Sequence, residues 1–303
     1  MRMKKLIALA VSALFLNFAP VQVSAELAEN TAAEFNVDTE NFINALPVAK
    51  GKYKSRQRPI LIGGAMNSEI GVLVRALKNP VVYQHLNYVY IAGTYKNYPV
   101  VISRTEIGVG NAAAATALAL TNFNPVAVIN QGTAGGYIDT LELGDIVIGE
   151  RSFNAAAVRT EYQPRGAGID ATQQELRGLY AYDKILGNFQ IYADFAADEA
   201  LLKLAESIGG FNSVAGVIGT SDGWNNNLDY INFLHEKYGM TCEEMETVSV
   251  AQICHNSGVP FIGIRTISNN VTNGAAYTPS AADSAQKFVL ILTEKYIRGV
   301  LKN

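Results

Sequence analysis

The sequence predicts an α/β domain built on a largely buried sheet. Three observations carry that reading: short apolar runs recur along the chain, several end in glycine, and segments with helical spacing follow them. At 303 residues, 49% hydrophobic and 17% charged, the chain is long enough for one large domain or two small ones with a sizeable core.

The first segment reads as an address. Arg2, Lys4 and Lys5 precede the apolar stretch Leu6 to Phe18, and Val23-Ser24-Ala25 supplies small residues for cleavage. Residues 1–25 fit a secretory signal peptide, because the apolar stretch is too short to span a bilayer comfortably. Its removal deletes three positive charges and no negative ones, taking the net charge from -3 to about -6. The expected product is exported, periplasmic or secreted, with no membrane segment left. Residues 26–57 are polar and weakly periodic, an extension with one short helix. The main domain is expected over residues 58–303.

Within that domain, Ile60-Leu61-Ile62 ends in Gly63-Gly64 and is followed by a helical pattern through Leu77. Val100-Val101-Ile102 leads to the turn Gly108-Val109-Gly110 and the alanine-rich Ala112 to Leu120. Val126 to Ile129 ends in Gly132-Thr133-Ala134-Gly135-Gly136. Arg151 to Phe189 reads as a long polar loop, a type that is often functional or mobile, and it is expected to cover the pocket mouth or a dimer contact. Val214 to Gly219 precedes a helix near Leu228 to Tyr238, and Phe261 to Ile264 precedes a long amphipathic helix from Ala281 to Leu301.

Composition excludes several functions. Lys+Arg 24 against Asp+Glu 27 leaves no basic stripe for nucleic acid. Two cysteines make neither a disulfide framework nor an all-cysteine metal site, and the three histidines show no ligand spacing. No metal or cofactor is expected. Gly108-Val109-Gly110 lacks the dinucleotide fingerprint, and no glycine-rich run ends in Lys-Ser/Thr. Taken alone, each glycine turn is structural.

Ligands of such sheets gather at the carboxyl ends of the strands. Those ends carry Met66 and Glu69; Val109; Thr133, Ala134 and Gly135; Asp222, Trp224 and Asn225; and Arg265, Ser268 and Asn269. Glu243-Glu244-Met245-Glu246 opens what reads as a helix. Carboxylates, one aromatic face, glycine turns and one arginine suit a small neutral ligand with hydroxyls and a flat ring, such as a nucleoside.

Several motifs together resemble the purine nucleoside phosphorylase superfamily, and most nearly its 5′-methylthioadenosine/S-adenosylhomocysteine nucleosidase branch. They are Gly64-Ala65-Met66 with Glu69, Gly108-Val109-Gly110, Asn130-Gln131-Gly132-Thr133-Ala134-Gly135-Gly136, Leu143-Gly144-Asp145-Ile146-Val147, Thr220-Ser221-Asp222-Gly223-Trp224, Glu244-Met245-Glu246, Cys254 to Phe261, and Arg265-Thr266-Ile267-Ser268. Eight motifs in the family's order cover nearly all of the chain after Pro59. The resemblance implies a single domain with a twisted, mostly parallel central sheet flanked by helices, and a homodimer. It implies that Glu69 holds and activates the attacking water. It places Glu246 at the ribose hydroxyls, with Met245 on the sugar and Trp224 against the purine. Arg265 then supports Glu246 or the sugar. Met66 and Val109 line the ribose and 5′ substituent, with Val158 reaching across the dimer.

Asn269 departs from that branch, which carries an aspartate there to protonate the leaving base. An amide does not titrate in the usable range, but it offers one donor and one acceptor to a 6-oxopurine. The expected function is therefore a purine nucleosidase. The alternatives are a phosphorylase, for which Asn130-Gln131 replaces the expected arginine, and a non-catalytic nucleoside-binding or storage protein.

Overall fold

The computed structural model describes residues 36–183 and 186–302. Residues 1–25, expected to be a signal peptide, lie outside them, as does the start of the polar extension. Helix α1 (Val37–Asn44) comes first. Strand β1 (Ile60–Gly64) leads into α2 (Asn67–Ala76), and β2 (Lys78–His85), β3 (Tyr88–Tyr95) and β4 (Tyr98–Arg104) follow as a meander. Then come α3 (Val109–Phe123), β5 (Ala127–Gly136) and β6 (Ile146–Asn154). The short strands β7 (Val158–Arg159), β8 (Glu175–Leu176), β9 (Leu179–Asp183), β10 (Asn188–Tyr192) and β11 (Phe195–Ala196) precede α4 (Glu199–Glu206). The chain continues through β12 (Ser213–Thr220), α5 (Leu228–Tyr238), β13 (Met240–Glu244), α6 (Thr247–Ser257), β14 (Phe261–Asn269) and α7 (Ala282–Tyr296).

The α/β expectation holds, and the main sheet has ten strands. Two parallel blocks form it. In one, β4, β1, β5 and β14 run together; in the other, β6, β12 and β13 do. Antiparallel pairs join the blocks twice, β14 to β6 and β13 to β5. The strands β5, β14, β6, β12 and β13 therefore close a ring. Alternation along each strand sends every second side chain inward. Ala134, Val147, Ile218, Cys242 and Ile267, one from each strand, form an apolar plug there. A larger apolar layer lies between the sheet and α2, α4 and α7, and another, which includes Cys254, lies beneath α3 and α6.

Three features differ from the sequence reading. The stretch Arg151 to Phe189 is not one loop. It finishes β6 and carries the pairs β7–β8 and β9–β10, strands too short to stand out as apolar runs. The β2–β3 hairpin was passed over, although Val81-Val82-Tyr83 and Tyr88-Val89-Tyr90-Ile91-Ala92 are apolar runs. Glu243 and Glu244 end a strand rather than opening a helix; α6 starts only at Thr247.

The extension is docked. Ile43 is buried in the core layer against α2, and Arg75 donates to Thr39 Oγ1 at 3.1 Å. Glu40 accepts from Asn67 Nδ2 at 2.8 Å and pairs with Arg104 at 2.7 Å. The backbone around Val48 bonds to Val82 on both sides, Ala49 N to Val82 O and Val82 N to Pro47 O. Ile43→Ala is expected to cost about 2–4 kcal/mol of stability, as for other buried truncations. Urea denaturation reads the change; an unmoved midpoint would mean that α1 is an appendage to an independent core.

Candidate active site

Strands β1 and β4 end side by side, β13 ends across β5 from them, and each releases a helix whose start lies near the same point. Strand β1 feeds α2, β4 feeds α3, and β13 feeds α6. A helix start presents unpaired N–H groups and a partial positive charge, so it suits a carboxylate. Each helix start here has one.

Glu69 sits in the first turn of α2 and is buried. Its Oε2 accepts from Ala65 N at 2.8 Å and Met66 N at 3.3 Å. Its Oε1 accepts from Thr133 N at 2.8 Å and Thr133 Oγ1 at 3.1 Å. Gln131 Nε2 donates to the Glu69 carbonyl at 2.7 Å, so the end of β5 holds Glu69 from both sides. Gly132 makes room for this: a Cβ there would meet Glu69 Oε1 at 2.7 Å and collide with Arg265. No side chain fits between them.

Glu244 and Glu246 look alike in sequence and differ in space. Glu244, on β13, faces into the strand ring. Its carboxylate takes the Thr220 hydroxyl, Glu246 N at 3.0 Å, Thr247 N at 2.8 Å and the Arg265 guanidinium. Its lone pairs are used, so Glu244 supports the wall rather than binding substrate as expected. Arg265, 1% exposed, is held by Glu244, Asn130 and Thr247, and its Nη2 lies 3.7 Å from Glu246 Oε2. The expectation for Arg265 was support of Glu246 or of the sugar; in the fold its contacts run to Glu244, with Glu246 farther off.

Glu246 stands at the N-cap of α6, but its side chain reaches the start of α3, where Oε1 accepts from Gly108 N at 2.9 Å. Gly108 takes φ 101, a conformation glycine adopts without strain. Glu246 has the fewest donors of the three acids. Burial, followed by the neighbouring Glu244, pushes its carboxyl up to about 8, while Arg265 and the Gly108 N–H pull back. Glu246 therefore holds a proton near neutrality.

The start of α3 is pinned a second time, by Asp222, whose Oδ1 accepts from Val109 N at 2.8 Å. Asp222, Trp224 and Asn225 share the stretch between β12 and α5. Trp224 is 50% exposed, its ring centroid 5.6 Å from that of Tyr277 in an edge-to-face contact, as a lip residue would be. Met66, Val109 and Met245 are half-buried around the same point. Asn269 ends β14, where its Oδ1 accepts from Ser268 Oγ at 3.2 Å and its Nδ2 lies beside Gly135. Ala134 and Ser268 are turned into the wall: Ala134 packs in the plug, and Ser268 Oγ also donates to the Ala134 carbonyl at 3.3 Å. Val158 is half-buried and pairs with Leu176 of its own chain.

Sequence reasoning missed Tyr137 as a site residue and passed over Glu243. Glu243 accepts from Tyr137 Oη at 2.6 Å and from Asn225 N and Nδ2, both at 2.8 Å. Strand alternation was the available signal: it sends Glu243 to the face opposite Glu244.

Residues 59–298 match the model of the phosphorylase superfamily. The chain is 34% identical over 215 residues to a 5′-methylthioadenosine/S-adenosylhomocysteine nucleosidase of Bacillus pumilus, covering 69% of this chain and 85% of the relative. It is 32% identical over 238 residues to the nucleosidase of that name from Shewanella oneidensis, covering 77% and 94%. Its fold resembles that of the Neisseria meningitidis nucleosidase in complex with methylthio-immucillin-A, with TM-score 0.64, 24% identity, and coverage of 79% and 100%. The futalosine hydrolase of Helicobacter pylori is similar in fold, with TM-score 0.63, 21% identity, and coverage of 78% and 98%. With the family model matched over most of the chain and relatives 34% and 32% identical over more than two thirds of it, the chain belongs to the phosphorylase superfamily, within the family of the 5′-methylthioadenosine/S-adenosylhomocysteine nucleosidases.

Proposed function

We propose that the chain is an N-glycosyl hydrolase that cleaves the N-ribosidic bond of purine nucleosides of the 5′-methylthioadenosine/S-adenosylhomocysteine type. The observation that carries this reading is the meeting of Glu69 and Glu246 at separate helix starts around Arg265. The C1′–N9 bond breaks with its electron pair leaving on the base, which takes a proton from solvent, and the sugar becomes cationic. Glu246, ionised and bonded to the 2′- and 3′-hydroxyls, stabilises that charge. Glu69 accepts a proton from water as the water oxygen bonds C1′. The Thr133 hydroxyl can rotate aside to release an Oε1 lone pair for that water.

Water rather than phosphate is the acceptor in this reading. Phosphate recognition calls for free cationic donors. Arg75 is committed to Thr39, to the Gly71 carbonyl and to the face of Phe42, while Arg104 is committed to Glu40, Asn67 and Glu106. Export follows from residues 1–25 in the same proposal, and the working unit is a homodimer with Val158 near the partner. Incubating the mature protein with methylthioadenosine, S-adenosylhomocysteine, adenosine and inosine, with and without phosphate, tests the activity. Free sugar is expected; a sugar phosphate formed only with phosphate would make the enzyme a phosphorylase, and binding without turnover a storage protein.

Glu246→Gln should abolish turnover, with a loss of at least about a hundredfold in kcat/KM, as for removal of a strong electrostatic group. Wild-type kcat/KM should rise with pH through about 8 and then level, because the ionised form is the working one. Stability should run the other way. The native state keeps a proton on Glu246 that the unfolded chain has already lost, so this group's stabilisation is complete below its unfolded range near 4.5 and is lost as pH rises toward about 8. Glu246→Gln removes that loss, so at pH 8 the variant should melt no lower than wild type. Activity within about tenfold of wild type would put the chemistry elsewhere.

A 6-oxopurine preference has one observation in its favour. With Asn269 Oδ1 engaged by Ser268, the amide turns its donor toward Gly135 and the pocket, where O6 or N7 can accept. Asn269→Asp should raise the ratio of adenosine-type to inosine-type cleavage by at least about tenfold, since a general acid is worth 10²–10⁴. An unchanged ratio would show that position 269 does not read the base.

A further inference from the structure

Residues 221–227, between β12 and α5, contain no helix or strand, yet they carry Asp222 and Trp224. A stretch of this kind takes its position from its anchors. Ser221 N bonds to the Glu244 carbonyl at 3.0 Å and Asp222 bonds to Val109 N at 2.8 Å, both near its start. Its middle is fastened by Glu243. One carboxylate oxygen takes Asn225 N and the other takes Asn225 Nδ2, each at 2.8 Å. Tyr137 Oη donates to Glu243 at 2.6 Å and accepts from Asn225 Nδ2 at 3.2 Å. The three side chains close a triangle whose every bond ends on Glu243 or on the neighbour of Trp224.

This triangle is costly to the fold. Glu243 is 8% exposed and has no ion-pair partner among the described residues, and burial, as the largest effect, raises its carboxyl above the ordinary range. An unpaired buried carboxylate stabilises a strand less well than an apolar side chain would. What it provides is a fixed position for one loop. It also lies next to the base end of the pocket: a Cβ on Gly135 would be 3.2 Å from Asn269 Nδ2 and 3.6 Å from Glu243 Cγ.

We propose that Glu243, Tyr137 and Asn225 form a buried latch that sets the stance of Trp224 opposite Asn269, making Glu243 a positioning residue for the base. This rests on the reading of the site as a purine nucleoside pocket. Glu243→Gln keeps the shape but leaves one acceptor oxygen where the carboxylate had two, so Asn225 loses a partner. Trp224 is the single tryptophan of the chain, so its fluorescence reports this loop and nothing else.

In the full mature chain, Glu243→Gln should shift tryptophan emission to the red and increase acrylamide quenching. It should raise KM for methylthioadenosine by about tenfold while kcat stays within about threefold, the pattern of lost substrate positioning. Tyr137→Phe, which removes both bonds of the phenol oxygen but leaves the two from Asn225 to Glu243, should move the same quantities in the same direction by less. If Glu243→Gln does not fold, Asn225→Ala removes the two side-chain bonds from the loop side, at a half-buried position, while keeping the backbone N–H on Glu243, and decides the matter. Unchanged emission with unchanged KM overturns the latch, and so does a fall in kcat alone with unchanged emission, which would place Glu243 in the chemistry. The fluorescence arm needs no substrate: a red shift without turnover of any nucleoside would sink the nucleosidase reading and leave the latch standing.

Discussion

Arg265 is the cation on which both the fold and the site depend. It lies inside the ring of five strands, on β14, and bonds to β5 through Asn130, to the end of β13 through Glu244 and to the first residue of α6 through Thr247. These partners belong to both parallel blocks, so a single guanidinium ties them together where their strands run in opposite directions. Its planar array of donors suits that task, since a lysine offers no comparable fork. A buried ion pair of this kind contributes little net stability against an apolar replacement, but loss of one partner is severe, on the order of 3–5 kcal/mol.

The same residue decides the charge of the pocket. Glu69 and Glu244 each receive several backbone or hydroxyl donors, whereas Glu246 receives one and stands farther from the guanidinium. Glu246, the acid nearest the start of α3, is therefore the one whose ionised form the fold supports least. In the proposed reaction, a sugar that turns cationic favours that ionised form. The interaction is one that the proposed transition state gains and a neutral ground state does not.

Much of this was legible in the sequence. The runs at Ile60, Val100, Val126, Val214 and Phe261 are strands, but the glycines expected to turn the chain after Ile62 and Ile129 lie within the strands, Gly63-Gly64 in β1 and Gly132 to Gly136 in β5. Glu69, Glu246, Arg265 and Trp224 stand where the strand-end argument put them. Glu244 was misread because two glutamates flanking a methionine look equivalent until the break between β13 and α6 is known. One is the last residue of a strand and the other caps a helix, and that break turns their side chains apart. Glu243 escaped for a related reason: a glutamate beside two others reads as surface charge, and only its pairing with Gly135 shows that it is buried against Tyr137 and Asn225. The hairpins between β6 and β11 escaped because their strands run only two to five residues.

The plug of the strand ring has a chemical consequence beyond packing. Cys242 is part of it, and Cys254 lies in the layer beneath α6; both are free thiols and both are buried. Burial pushes each thiol far above its ordinary range, so neither supplies the thiolate that exchanges with disulfides or reacts with oxidants. The sulfur of this protein is shielded by the same walls that shape the pocket. Its covalent structure is accordingly indifferent to the redox potential around it: oxidised and reduced glutathione would meet the same unbridged molecule.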